Sequence, residues 1–336
     1  MLRINEGDYA YASARIRAVE IKLLDTGRFD RMLDASTAEE AFKVLAEAEY
    51  GFSGSNTGSV FVYESLLAEE MKKCYSLLLE IAPQIEIIKA FQRHHDYFNV
   101  KVLLKAEFSG NEAPSILMDT GTFDKEQMRQ IIRERQYGDL TPIMQQAIGE
   151  TYDVFSRTQD PQAIDLLLDK ASNHQFATDL REVDSPFLHE LVEITMDITN
   201  IKMYIRAKSL NKAWDFLKRL LLEGGTIPQK VYFENSDKSI DAFIGELHSS
   251  KVGDTVYKGW ELFKTKKNIS GLERLLDDYM MRFIREAKMV LMGIEPLVAY
   301  LYAKEAEIRN VRIIMTGKIN KLPVDMIRER LRLGYV

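Results

Sequence analysis

Three short polar motifs in this chain combine residue types that could bind a cation or a backbone loop. Each motif has an acidic residue, an asparagine three positions later and a basic residue two positions after that. The three copies are Asp96/Asn99/Lys101, Asp197/Asn200/Lys202 and Glu307/Asn310/Arg312. Since residues three apart lie on one face of a helix, the carboxylate and the amide of each copy could share one site. The basic residue lies about 140° around the helix from the acid and is not its natural intrahelical partner.

Two interpretations of these motifs are open. A cation such as calcium needs six to eight oxygen ligands, more than one carboxylate and one amide supply. A structural pair needs only backbone donors and acceptors from a neighbouring loop or helix. An enzyme would also rarely need three copies of one site. We therefore predict that the nine residues form a structural repeat motif and that they hold no metal ion.

The remaining candidates for chemistry are few. The five histidines stand in no His-Glu-x-x-His or His-x-x-His frame, and the single cysteine, Cys74, excludes a disulfide framework within the chain. The glycine-rich stretch Gly51–Ser59 lacks the order of a phosphate-binding loop, and we interpret it as a flexible surface loop. The histidines are His94, His95, His174, His189 and His248. We predict no catalytic residue, no cofactor and no metal.

The elements that must position the motifs are helices. Apolar residues recur at spacings of three and four almost throughout, and no stretch alternates with a period of two, so the pattern predicts an all-α fold. The predicted helical segments are Ala38–Ala48, Glu64–Ile81, Ile85–Lys105, Ala163–Lys170, Phe187–Lys208, Ala213–Leu222, Leu272–Leu291 and Leu297–Met315. Most of the eight prolines lie between these segments, where proline can begin or end a helix.

The motifs also recur at nearly equal intervals. The asparagines are 101 and 110 positions apart, and apolar residues follow each at one, four and five positions. This spacing predicts three similar helical domains over residues 1–115, 116–220 and 221–336. We expect them to surround a pseudo-threefold axis, as a funnel, with the C-terminal half-repeat 305–336 completing the first domain.

A glycine two positions before an apolar residue forms a second recurring element. It occurs at Gly27, Gly121, Gly225 and Gly317. Because glycine readily adopts the left-handed conformation that ends many helices, we predict that these glycines terminate the helices before them.

Composition and charge limit the classes of function. The 336 residues include 46% hydrophobic residues, 45 Lys and Arg and 51 Asp and Glu, for a net charge of −6. Such a chain can bury a core and is not disordered.

The most apolar stretch, Met289–Ala303, is short and contains Glu295, so we predict no membrane-spanning helix. The N-terminal sequence MLRINEGDYA has no apolar segment of the kind found in signal peptides, so we predict no signal peptide. A single cysteine fits a reducing cytosol.

The charge is unevenly distributed along the chain. Successive thirds of 112 residues carry net charges of −5, −5 and +4. The basic third has only one dense run, Lys264, Lys266 and Lys267, without the aromatic residues or zinc spacing of a nucleic-acid-binding motif. We therefore expect no nucleic-acid partner. The uneven charge has two interpretations, chance clustering or an asymmetric docking surface on the basic third.

Three segments carry a resemblance to a known family. YAYASARIRAVEIKLLDTGRFDRML from Tyr9, AEEAFKVLAEAEYG from Ala38 and FQRHHDYFNVKVLLKA from Phe91 resemble the C subunits of prokaryotic V-type (A-type) ATPases. These subunits are equivalent to the d subunit of the vacuolar proton pump. The resemblance extends over essentially the whole chain and includes the threefold recurrence of the asparagine-bearing helix. The third copy departs from the pattern with Glu307 and Arg312.

The resemblance implies a role that composition does not. Such subunits are non-catalytic parts of the central rotor: a funnel-shaped socket links the central shaft to the membrane proteolipid ring and transmits torque for ion transport coupled to ATP hydrolysis or synthesis. It implies a peripheral position on the cytoplasmic side of the membrane, indirect membrane association through integral partners, and no functional homo-oligomer. A generic helical scaffold or adaptor outside rotary ATPases is the alternative, and a helical hydrolase also stays open.

Overall fold

The chain is helical almost throughout, as the periodicity predicts. A computed structural model describes residues 2–48, 50, 62–112, 114–210, 218–219, 221–266 and 268–336. The helices are α1 (Ala10–Glu20), α2 (Thr26–Asp34), α3 (Ala38–Glu47), α4 (Tyr63–Ile81), α5 (Ile85–Ser109), α6 (Lys125–Glu134), α7 (Pro142–Thr158), α8 (Pro161–Arg181), α9 (Pro186–Ser209), α10 (Gln229–Glu234), α11 (Ile240–Glu246), α12 (Gly253–Lys266), α13 (Ser270–Arg285), α14 (Glu295–Ile319) and α15 (Val324–Arg328). Short 3-10 turns cover Glu6–Tyr9, Tyr137–Asp139 and Glu286–Met289.

Strand structure is minimal in the described residues. β1 (Leu2–Arg3) and β2 (Val183–Asp184) pair in parallel over two residues each. The all-α prediction is confirmed. The pseudo-threefold arrangement remains a prediction.

Local sequence signals explain where several helices begin. Pro142, Pro161 and Pro186 occupy the first turns of α7, α8 and α9, where a missing N–H costs nothing and a fixed φ favours the helix. Thr37 caps α3 by accepting a hydrogen bond from the N–H of Glu40. Two predicted features, the loop Gly51–Ser59 and most of the helix Ala213–Leu222, lie outside the described residues.

The chain divides into two compact units. The first contains Met1–Ile4 and Gln84–Glu246, and the second contains Asn5–Pro83 and Leu247–Val336. The predicted division into three domains, 1–115, 116–220 and 221–336, remains a prediction.

None of the described helices is both long and apolar enough to cross a bilayer.

The core of the first unit lies where α5 packs against α6, α7 and α8. Tyr97, Val100 and Leu104 on α5 are buried with Met128 on α6 and Ile148 on α7. These α5 residues are three, four and seven positions apart and so form one helical stripe. The stripe fixes the rotation of α5 about its own axis, and therefore the direction in which the polar residues between its apolar positions point.

The core of the second unit brings residues from both ends of the chain together. Met32 on α2, Leu45 on α3 and Leu67 on α4 are buried in one cluster with Val311 and Ile314 of α14. Residues from 5–83 and 247–336 therefore share a single core, and neither segment can bury its apolar surface without the other.

Candidate functional site

The first polar motif binds a loop that follows its own helix. Asp96 is fully buried on α5. Its Oδ2 accepts hydrogen bonds from the N–H of Thr122 (3.1 Å) and from the Thr122 hydroxyl (2.6 Å), and its Oδ1 accepts one from the N–H of Phe123 (3.3 Å). Burial raises the pKa of Asp96 to about 6, although these three donors and Arg93 favour the ionised form.

Asn99, one turn further along α5, holds the same loop at a second point. Its Nδ2 donates to the carbonyl oxygen of Met118 (2.8 Å) and its Oδ1 accepts from the N–H of Met118 (2.8 Å). Asp96 and Asn99 thus bind the loop at four backbone groups and one hydroxyl. Met118 precedes Thr122 by four residues, so the loop lies along the helix.

The second copy repeats this geometry on α9. Asp197 accepts from the N–H (3.0 Å) and hydroxyl (2.5 Å) of Thr226 and from the N–H of Ile227 (3.1 Å). Asn200 donates to the carbonyl oxygen of Leu222 (2.9 Å) and accepts from its N–H (2.8 Å). Both side chains are almost completely buried. The two copies in the first unit are therefore equivalent in structure as well as in sequence.

The third copy uses two chain segments far apart in sequence. Asn310 on α14 makes the same pair of bonds, to the carbonyl oxygen (2.9 Å) and the N–H (2.8 Å) of Arg332. Glu307 instead accepts a hydrogen bond from the N–H of Leu24 (2.5 Å), 283 residues away. Leu24 directly precedes Asp25, the N-cap of α2, just as Phe123 directly precedes Asp124, the N-cap of α6.

The acid of the third copy also has a buried cation beside it. Lys304 Nζ lies 2.6 Å from Glu307 Oε1 and 3.5 Å from Glu70 Oε2, and it stands over the ring of Tyr50. Burial alone would lower the pKa of Lys304, but the charges of Glu307 and Glu70 outweigh burial and raise it. This small ionic cluster replaces the threonine hydroxyl of the other copies.

The glycines of the second recurring element have a different role from the one predicted. Among the described residues, glycines with positive φ are Gly110, Gly224 and Gly293, so the prediction of left-handed helix ends at Gly27, Gly121, Gly225 and Gly317 is wrong. Gly27 and Gly317 lie inside α2 and α14. A Cβ at Gly121 or Gly225 would stand 2.1 Å from Oδ1 of Asp96 or Asp197. These two glycines allow the loop backbone to approach the buried carboxylate.

Lys101 and Arg312, the basic residues of the first and third motifs, form ion pairs with other helices. Lys101 forms an ion pair with Asp169 of α8 (2.6 Å). Arg312 forms a bidentate pair with Glu64 of α4. Lys202 is half-buried on α9. In the copies that contain Lys101 and Arg312, the motif joins its helix to both a loop and a neighbouring helix.

The paired histidines on α5 are half-buried and bind protein groups. His94 Nδ1 lies 2.7 Å from the hydroxyl of Ser172, and its ring packs against Phe176. His95 Nδ1 lies 2.8 Å from the hydroxyl of Thr120. Burial lowers the pKa of His94 to about 4 and lowers that of His95 as well, so both rings are neutral at pH 7.

The geometry as a whole supports structural use of the motifs. The carboxylates and amides of the three copies already bond to backbone or side-chain groups of the protein. Among the described residues, no group of three or more His, Cys, Asp or Glu side chains is arranged to hold a metal ion. A cavity of about 240 Å³ touches Asp96, and one of about 520 Å³ touches His94 and Lys101. The stability that each motif contributes stays a prediction.

Sequence reasoning identified the helix residues of each motif but missed most of their partners. Thr122 and Thr226 share the short pattern Gly-Thr-apolar after an asparagine-bearing helix, which is a signal that could have found them. Leu24, Arg332 and Lys304 carry no such signal, because the first two contribute backbone groups and the third has no counterpart in the other copies.

The chain matches the sequence model of one protein family over nearly its whole length. The family is described as ATP synthase (C/AC39) subunit, and the match covers residues 12–330. It agrees with the resemblance seen in the three segments quoted from the sequence.

Individual relatives match at low identity but from end to end. The C subunit of the V-type sodium ATPase of Enterococcus hirae is 24% identical over 335 residues, covering 98% of this chain and 99% of the relative. The C subunit of the A-type ATP synthase of Methanocaldococcus jannaschii is 23% identical over 98% of this chain and 87% of the relative. That of Thermococcus kodakarensis is 22% identical over 96% and 89%.

Proposed function

Because this chain belongs to the ATP synthase (C/AC39) subunit family, we propose that it serves as the C subunit of a V-type or A-type rotary ATPase and couples the shaft to the membrane ring. It is a subunit of such a complex, and its role there is non-catalytic. The observation that carries the proposal is the match of almost the entire chain to almost the entire length of these relatives.

The proposed role is mechanical. The chain forms a socket at the cytoplasmic side of the membrane, peripheral to it, which receives the central shaft on one side and contacts the proteolipid ring on the other. The relatives include a sodium ATPase and ATP synthases, so the proposal concerns the coupling step they share and specifies neither ion nor direction.

The packing of the long helices suits a part that transmits torque. α5, α9 and α14 span 25, 24 and 25 residues, and each is tied to a loop by its buried acid and asparagine. A buried hydrogen bond that has no water to replace it costs about 1–3 kcal/mol to leave unmade, so these ties resist sliding of loop against helix. A stiff body loses little of an applied rotation to internal deformation.

We further propose that the C-terminal half-repeat 305–336 completes the first of three helical domains. Contacts in the second unit support this: Glu307 binds the N–H of Leu24, Lys318 donates to the carbonyl oxygen of Leu33 (2.5 Å), and Arg328 pairs with Asp30 (2.6 Å). The arrangement of three such domains about a pseudo-threefold axis belongs to the same proposal.

A reconstitution experiment tests the function. The complex is assembled from purified parts with and without this chain, and ATP hydrolysis and ion transport are measured together. We expect hydrolysis to persist without the chain while transport is lost, and the chain alone to hydrolyse no nucleotide. It should also bind both the shaft proteins and the detergent-extracted ring. Full coupling in its absence, or binding to neither partner, would favour the alternative of a helical scaffold outside rotary ATPases.

A further inference from the structure

One connection between helices exposes an unusual amount of apolar surface. Residues 286–294 join α13 to α14, whereas residues 82–84 join α4 to α5 and residues 182–185 join α8 to α9. Within the long connection, Met289 is 86% exposed and Leu291 is 85% exposed, and Met292 is also exposed. Large apolar side chains so fully exposed next to one another mark a surface that contacts another apolar phase.

The connection is held in place by α1. Arg17 Nη2 donates to the carbonyl oxygens of Ala287 (2.7 Å) and Val290 (2.9 Å). The hydroxyl of Ser13 lies 3.4 Å from both the N and the O of Gly293. The backbone that carries Met289 and Leu291 is therefore bound at both ends, and the apolar side chains are presented from a fixed support.

A residue at the end of α1 extends the apolar surface. Ser13 and Arg17 are four residues apart on one side of α1, and both bind the connection. Ile21 is four residues after Arg17, directly beyond the end of α1, and it is 81% exposed. Ile21 and the connection residues Met289, Leu291 and Met292 will be called the apolar tip.

Basic residues outnumber acidic ones in the segments that form the apolar tip, although Arg17 is paired with Glu20 (2.8 Å) and Glu295 follows the connection directly. Residues 10–24 and 284–294 carry five basic and two acidic side chains, although the whole chain has a net charge of −6. Lys288 stands over the ring of Tyr335, and Arg285 donates to the carbonyl oxygen of Gly334. Burial lowers the pKa of Lys288, and the neighbouring Arg285 and Arg17 lower it further, while the carboxylate of Glu20 raises it.

We propose that the apolar tip inserts into the interface of a lipid bilayer that contains anionic headgroups. The apolar side chains would enter the boundary between headgroups and acyl chains, and the basic side chains would bind the negative surface. The charge complementarity favours anionic lipid. Direct lipid contact goes beyond the proposed coupling function, which requires only contacts with other proteins of the complex, and either can fail without the other.

Flotation of the full chain with vesicles tests the proposal. We expect the chain to float with vesicles of phosphatidylcholine and phosphatidylglycerol and to float much less with phosphatidylcholine alone. The double variant Met289→Ser/Leu291→Ser should lose at least about tenfold in vesicle affinity, because it removes the two most exposed apolar groups. Ile116→Ser/Met326→Ser, which changes exposed apolar residues elsewhere, is the matched control and should bind like the wild type.

Charge variants and a depth probe separate insertion from simple attraction. Lys288→Glu should weaken binding to anionic vesicles, while Lys258→Glu, at an exposed position on α12, should change it little. Leu291→Trp should add fluorescence that shifts to the blue on vesicle binding and is quenched by brominated lipid. Absence of binding by the wild type, or equal binding by Met289→Ser/Leu291→Ser, overturns the proposal. Loss of binding to the detergent-extracted ring in that variant without any vesicle binding overturns it too and assigns the tip to a protein partner.

Discussion

Asn310 binds both backbone groups of Arg332, donating to its carbonyl oxygen at 2.9 Å and accepting from its N–H at 2.8 Å. The same two-bond contact joins Asn99 to Met118 and Asn200 to Leu222. Aspartate lacks the N–H needed for one of these bonds, and glutamine is one methylene longer. An asparagine at this position therefore follows from the geometry of the contact.

The asparagine contact should be a measurable source of stability. Asn200→Ala leaves the N–H and carbonyl of Leu222 buried without partners, which we expect to lower the free energy of unfolding by about 1–3 kcal/mol. Chemical denaturation measures this difference. Asn111→Ala, at an exposed position, serves as the control and should change stability little. An Asn200→Ala protein as stable as wild type that has lost binding to a partner would make Asn200 a contact residue instead.

A methyl group at Gly225 should disrupt the loop of the second motif. The added Cβ would stand 2.1 Å from Oδ1 of Asp197, so Gly225→Ala must push the loop away from the carboxylate, at a cost of about 1–3 kcal/mol. Thermal unfolding of the variant measures the loss. Gly149→Ala provides the comparison, because a Cβ there meets nothing within 4 Å in the middle of α7, and alanine favours a helix by about 1 kcal/mol. Equal behaviour of the two variants would contradict the close-approach explanation.

Removal of the buried cation of the third motif should be costly. Lys304→Met leaves Glu307 and Glu70 close together without a positive charge, and we expect a loss of about 3–5 kcal/mol. The double variant Lys304→Met/Glu307→Gln should regain part of this loss, because it also removes the uncompensated carboxylate. A double-mutant cycle by urea denaturation supplies the coupling energy. Strictly additive effects would show that Lys304 and Glu307 do not stabilise each other.

Acid should affect stability through His94 and Asp96 in opposite directions. The pKa of His94 is lowered to about 4, so the unfolded chain binds more protons between pH 6.5 and 4, and stability falls as pH falls. The pKa of Asp96 is raised to about 6, so the folded chain binds more protons between pH 6 and 3.8, and stability rises as pH falls. The two neighbouring residues partly offset each other.

His94→Gln removes the titrating imidazole, and with it the loss of stability that His94 causes at low pH, while keeping a polar group near Ser172. We expect the unfolding free energy of the wild type to fall more than that of the variant when the pH is lowered from 7 to 5. The difference between the two changes should be on the order of 2 kcal/mol, obtained from unfolding free energies measured at both pH values. His248→Gln changes a largely exposed histidine and should show the wild-type pH dependence. If His94→Gln follows wild type across this range, His94 does not resist protonation in the folded protein.

The first motif shows which features of the structure can be predicted from the sequence alone and which cannot. The period of three and four predicted the helix over 85–105 that the structure extends to Ser109, and the spacing of Asp96 and Asn99 correctly predicted a shared helix face. Both depend on interactions within a few residues. The partners of these side chains do not: Thr122 lies 26 residues from Asp96, and Leu24 lies 283 residues from Glu307.

The error at the glycines has the same origin. Gly121 and Gly225 recur after an asparagine-bearing helix, and residue type alone suggested a left-handed helix end. Gly121 lies 12 residues beyond Ser109, however, and the left-handed residue after α5 is Gly110. What requires glycine at position 121 is a carboxylate that approaches from another element. A sequence pattern shows which residue types recur. Only the folded structure shows that a carboxylate oxygen of Asp96 or Asp197 leaves no room for a Cβ at Gly121 or Gly225.

The discontinuous second unit has a consequence for how the protein is made. Residues 84–246 emerge from the ribosome as one stretch of the first unit and can begin to fold at once. Residues 5–83 are made earlier but share their core with 247–336, so Met32 and Leu67 must wait for α14 to be translated before they are buried. For roughly two thirds of synthesis, the earliest helices of the chain therefore expose apolar surface, and this interval is when the nascent protein most needs protection from aggregation.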